Sequence, residues 1–92
     1  MGYTWLPGRF AILAGVEPYE VMQVLLGPGR RLPRRVRSPH GLAMLAIRGR
    51  TTTGRGLVVF VRHDEGLDWT IVGARAMTPA EGAEFEQWEA QQ

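Results

Sequence analysis

Eleven arginines and two histidines, with no lysine and no cysteine, carry most of the chemistry open to this 92-residue sequence. Arg48, Arg50, Arg55, Arg62 and Arg75 punctuate the stretch from Leu42 to Glu81. A guanidinium is a planar fork of donors that matches phosphate in a bidentate way and stays protonated at physiological pH. Adjacent antiparallel strands would bring several of these groups onto one surface, which makes RNA the first candidate ligand. Metal-independent RNA cleavage needs a base for the 2′-hydroxyl proton, cations for the charge developing on phosphate, and an acid for the leaving 5′ oxygen. Arginine supplies only the second. Arg50, Arg55, Arg62 and Arg75 are therefore the candidates for phosphate positioning and charge stabilisation. His63 is the candidate for proton transfer, since it abuts an arginine-bearing strand and imidazole titrates near neutral pH.

A second basic cluster, Arg30, Arg31, Arg34, Arg35 and Arg37, lies between Arg30 and His40, a segment with two prolines and only Leu32 and Val36 as large apolar residues. It reads as an exposed arm or irregular edge strand, and with Arg48 it forms the candidate nucleic-acid-binding set. A solvated loop is the plainer reading of the same composition. Glu17, Glu20, Asp64 and Glu65 could each act as a base, although Asp64-Glu65 reads as turn filling. Trp5, Trp69 and Trp88 could stack on unpaired bases. Trp69, at a strand start, and Trp88, on the inner side of a helix, are assigned to packing.

The chain length fits one domain, which buries roughly 60% of the surface its unfolded chain would expose. With 45% hydrophobic and 22% charged residues and no internal repeat, the composition is that of a globular protein. Without cysteine there are neither disulfides nor thiolate metal sites, and two distant histidines make a poor zinc site, so no metal and no cofactor are expected. The longest apolar run, Leu42 to Ile47, is far too short to cross a bilayer, and no charged-then-apolar leader opens the chain; a cytoplasmic protein without membrane contact is expected. Charge is unevenly placed. Residues 1–62 carry +8 and residues 63–92 carry −6, against a total of +2. This predicts a basic face for an anion and an acidic helix that stays solvated or meets a basic partner.

The elements that must position these groups follow from local signals. Tyr3 to Leu6 predicts a short strand ended by Pro7-Gly8, and Arg9 to Ala14 a brief helix ended by Gly15. Pro18 opens a second helix with Val21, Met22, Leu25 and Leu26 on one stripe, stopped by Gly27-Pro28-Gly29. Leu42 to Arg48 is a central strand, and Arg50 to Gly56 is a turn with Gly54 able to take positive φ. Leu57 to Val61 is the next strand, His63 to Asp68 a second turn, and Trp69 to Ala74 the last strand of a three-stranded antiparallel meander. Thr78-Pro79-Ala80-Glu81 is an N-cap, a first-position proline and a capping-box glutamate, opening a helix with Phe85 and Trp88 inward. Its Glu81, Glu84, Glu86 and Glu89 are expected on a solvated face. The fold class is α+β: a short N-terminal strand, two short helices, the meander and a C-terminal helix.

Trp5 before a proline, Gly15-Val16 followed by Glu20, Pro28, Gly49-Arg50-Thr51, Gly54-Arg55, Val58-Val59, Arg62 and Ala74-Arg75-Ala76 form an ordered pattern spanning most of the chain. In these residues the sequence resembles the BrnT-like toxins of the RelE superfamily of bacterial toxin–antitoxin modules. The resemblance implies helices packed on an antiparallel sheet, metal-independent endoribonuclease activity, and neutralisation by a small DNA-binding antitoxin in a hetero-oligomer, with a homodimer as the other assembly. The chain departs from the family pattern at Leu6, where an acidic residue is usual, and at Leu13-Ala14, where a Lys-His pair is usual. Two other readings stand beside it: a non-catalytic arginine-rich RNA- or DNA-binding module, and a protein-interaction domain whose arginines reflect codon usage.

Overall fold

A computed structural model describes residues 2–6, 12–39, 41–63 and 68–91. The element order is β1 (Tyr3–Trp5), β2 (Ile12–Ala14), α1 (Pro18–Leu26), β3 (Leu32–Arg37), β4 (Ala43–Arg50), β5 (Gly56–His63), β6 (Trp69–Ala76) and α2 (Pro79–Ala90). The β-branched and aliphatic content of β4, β5 and β6 suits a pleated surface covered on both sides, and most of their residues are buried or half-buried. These three strands pair antiparallel as predicted, and β3 extends them into a four-stranded meander. β1 and β2 both pair parallel with β6, β1 along its first half and β2 along its second, so they act as one interrupted edge strand. The result is an α+β domain built on a mixed sheet in the order β1-β6-β5-β4-β3, with β2 beside β6.

One expectation is corrected. Ile12–Ala14, the end of the expected first helix, is extended and pairs with Gly73–Arg75; the start of that expected helix, residues 9–11, lies outside the described residues. Three residues at a sheet edge gain ladder hydrogen bonds that a one-turn helix, with its nucleation cost, cannot match. Among the described residues one helix, α1, precedes the meander. The basic segment after α1 resolves in favour of an edge strand, β3, whose Pro33 and exposed arginines discourage pairing with another chain.

Alternation along the strands divides the sheet into two faces. Leu45, Ile47 and Gly49 of β4, Leu57, Val59 and Val61 of β5, and Ile71 and Ala74 of β6 share the face covered by α1, whose Val21, Val24 and Leu25 are buried against them. Gly49 is where the helix comes nearest: a Cβ there would stand 2.8 Å from a Val24 methyl. The opposite face carries Arg48, Val58 and Arg75 in one row and is covered at that end by α2 through the fully buried Phe85. α2 begins as the sequence predicts, with Thr78 Oγ1 accepting from the Glu81 amide at 3.2 Å and Glu81 accepting from the Thr78 amide at 2.8 Å. The β4–β5 turn places Gly54 at φ +89°, a conformation that disfavours side chains with a Cβ.

Candidate nucleic-acid site

Of the arginines between Leu42 and Glu81, Arg48, Arg50 and Arg75 converge on the face that α2 covers, and there the acidic residues of α2 meet them. Arg75 makes paired hydrogen bonds of 2.6 and 2.9 Å to the Glu81 carboxylate. Arg48 lies 3.7 Å from Glu81 and 3.1 Å from Glu84. Arg50 binds both oxygens of Glu89, the shortest contact being 2.7 Å, and its guanidinium lies over the Phe85 ring. The Arg75 guanidinium holds the Glu81 carboxyl down at about 2, helped by the Thr78 amide and by Arg48, and Arg50 holds Glu89 below its ordinary value. Arg50 and Arg75 are raised in turn, each chiefly by its hydrogen-bonded glutamate. The expectation of a solvated glutamate face is thus corrected for Glu81 and Glu89, which are part-buried against the strand arginines, whereas Glu84 reaches Arg48 while staying exposed and Glu86 is exposed as expected.

Arg55 sits in the β4–β5 turn and reaches across to α1. Its Nη1 donates to both oxygens of Glu20, at 3.0 and 3.1 Å, and its Nη2 donates to the Gly15 carbonyl at 2.9 Å. The Glu20 carboxyl is lowered first by the Glu17 amide it accepts from and then by Arg55. This contact ties the glycine turn, the start of α1 and the hairpin together. Arg31 donates to the Leu25 carbonyl at the end of α1, where it satisfies a helix C-terminal acceptor. The charge of Arg30 acts on Glu89. A phosphate approaching Arg48, Arg50, Arg55 or Arg75 meets a guanidinium that already holds a carboxylate.

The other arginines of β3 have a different setting. Strand register puts Arg34 on the face of α2, opposite Ala46, and puts Arg35 and Arg37 on the face of α1, opposite Leu45 and Ala43. α1 packs on that face beside Gly49, near the β4–β5 turn. At the other end an open groove of about 460 Å³ remains, lined by Arg35, Arg37, Ala43, Leu45, His63 and Trp69 among others. Arg37 donates to the Gly41 carbonyl at 3.1 Å. Among the described residues, neither Arg35 nor Arg37 has a carboxylate at ion-pair distance. His63 is exposed and meets Trp69 edge to face, ring centroids 4.8 Å apart and planes at 74°. Arg62, its neighbour, points to the opposite face by alternation, so the sheet separates His63 from Arg62 as well as from Arg48, Arg50 and Arg75.

The structure therefore unites His63 with two of the arm arginines rather than with the strand arginines next to it in sequence. Trp69, expected only to pack, is half-buried and lines the groove. The signal that could have found this grouping is the parity of Arg35 and Arg37 within a strand, visible only once β3 is known to pair with β4. His40, Asp64 and Glu65 lie outside the described residues. Among the described residues no cluster of three or more His, Cys, Asp or Glu could hold a metal ion, and no helix is long and apolar enough to cross a membrane. Fold and groove together define a small α+β domain with a mixed six-stranded sheet and a basic, aromatic-lined cleft. No protein-family model, curated protein or solved structure matches the chain.

Proposed function

We propose that this chain is an RNA-directed domain of the BrnT-like, RelE-superfamily kind, that RNA occupies the groove between β3 and the β5–β6 end, and that His63 is its proton-transfer group. The observation that supports the reading is one groove holding two guanidiniums with no carboxylate at ion-pair distance among the described residues, an exposed imidazole and an indole. Arg35 and Arg37 hold a backbone phosphate and stabilise the charge that grows on it. In metal-independent cleavage the 2′ oxygen bonds to phosphorus as the bond to the 5′ oxygen breaks, leaving a 2′,3′-cyclic phosphate and a 5′-hydroxyl. His63 moves one of the two protons this requires, and water moves the other. The small DNA-binding antitoxin of such modules is the partner this assignment carries with it.

A second reading, a non-catalytic RNA-binding module, is favoured by two observations. Three of the four arginines of the family pattern, Arg50, Arg55 and Arg75, are held by glutamates, and Leu13-Ala14 stands where the Lys-His pair is usual. End-labelled RNA incubated in EDTA with the wild type, with His63→Ala and with Arg35→Ala/Arg37→Ala separates the two. Cleavage lost in both variants supports the ribonuclease. Intact RNA that is bound and released by salt, with the double variant lowering the salt slope by about 1.4 for two lost phosphate contacts, supports the binding module. Neither cleavage nor binding refutes both.

A further inference from the structure

We infer that the groove is built for one unpaired nucleotide, with its base in the aromatic corner formed by His63 and Trp69 and its phosphate on Arg35 and Arg37; this rests on the RNA reading above and narrows it to single strands. Two rings 4.8 Å apart at 74° form an L-shaped corner. A flat base laid on one ring presents its edge to the other, so both contacts have favourable aromatic geometry, offset stacking on one side and edge-to-face on the other. His63 is exposed and Trp69 is half-buried, so the corner opens to solvent while the indole is anchored in the core.

The corner lies on β5 and β6, whereas the cations lie on β3. With strands spaced about 4.8 Å apart, His63 is roughly 10 Å from the β3 backbone, a distance that an arginine side chain and a nucleotide span between them. Leu45 and Ala43 of β4 lie between the two and give the groove an apolar floor against which a sugar and base edge can pack. The volume, about 460 Å³, is that of a small-molecule pocket rather than of a channel for a helix. A base inside a duplex is already stacked and paired and cannot enter the corner, whereas a base in a single strand can be turned out into it. Base stacking on an aromatic side chain is largely indifferent to base identity, so the pocket selects strandedness more than sequence.

The test titrates the wild-type protein with a single-stranded hexaribonucleotide, the same sequence in a blunt duplex, and adenosine monophosphate, following intrinsic tryptophan fluorescence and, separately, binding by anisotropy of a labelled RNA. The single strand is expected to bind at least about tenfold tighter than the duplex and to quench emission, and Trp69→Phe, shown folded by circular dichroism, to lose most of the quenching. Quenching by adenosine monophosphate at comparable concentration would also support the pocket and assign it to free nucleotides. Equal affinity for single strand and duplex without quenching, while Arg35→Ala/Arg37→Ala still abolishes binding, would overturn the pocket and leave RNA binding standing. Absence of binding to any of the three would overturn both. The strandedness comparison needs no variant, so a poorly folding Trp69→Phe does not shelter the proposal.

Discussion

Replacing Glu81 by Gln isolates the ion pairs that fasten the C-terminal helix to the sheet. Glutamine still serves at the third position of a capping box, so the helix start is retained and the lost quantity is charge. A carboxyl moved from 4.5 to about 2 is stabilised in its ionised form by roughly 3 kcal/mol, at about 1.4 kcal/mol per pH unit. The side chains of Glu81 and Arg75 keep 16% and 39% of their exposure, so solvent screening reduces the expected loss to about 2 kcal/mol. For a domain of this size that corresponds to a fall of roughly 10 °C in melting temperature, or about 1–2 M in urea midpoint. Because the carboxyl is lowered in the folded protein, its contribution is full above about pH 4.5 and fades as pH falls towards 2. Urea midpoints of wild type and Glu81→Gln should therefore be well separated at pH 7 and converge at the acid end. Equal midpoints at pH 7, or a gap unchanged down to pH 2, would refute the reasoning. A double-mutant cycle with Arg75→Ala should give a coupling of about 1–2 kcal/mol. On the same argument Arg75→Ala costs stability and leaves RNA affinity unchanged, measured by anisotropy at a temperature where the variant is folded.

Phe85→Ala removes the one fully buried side chain by which α2 covers its face of the sheet and is expected to cost about 3–5 kcal/mol in urea unfolding. Gly49→Ala forces a Cβ to within 2.8 Å of Val24, which is itself buried, so α1 must shift at a cost of about 1–3 kcal/mol; a variant as stable as wild type would show that the helix seat is loose. Arg55→Ala leaves Glu20 without its cation and Gly15 without a donor, and should lower stability more at pH 7 than at pH 3, because the ion pair fades as acid protonates Glu20. Thermal melts at the two pH values check this, and an equal loss at both would point to packing of the arginine stem instead.

Signals confined to a few residues were legible. Thr78, Pro79 and Glu81 announce α2, Gly27 ends α1 where a Cβ would clash with the Gln23 carbonyl, and Gly54 marks the turn between two strands whose β-branched runs are plain. Ile12–Ala14 was misread because three residues carry no periodicity, and its state was decided by β6, some 60 positions later. The charge asymmetry was visible, yet its meaning was not, since an acidic segment and a basic one can repel water-borne partners or satisfy each other.

Sequence alone determined the inventory: arginine as the sole strong base, two imidazoles, no thiol, mixed α and β structure, and the strands on which the cations ride. Only the tertiary structure decided which cations are already neutralised. Arg50 meets Glu89 and Arg55 meets Glu20 across 39 and 35 positions, and such pairs follow from strand register and helix placement, which no local spacing encodes. The same register sends neighbouring Arg62 and His63 to opposite faces and brings His63 to Trp69, Arg35 and Arg37, because side chains alternate along a strand and partners are chosen across it.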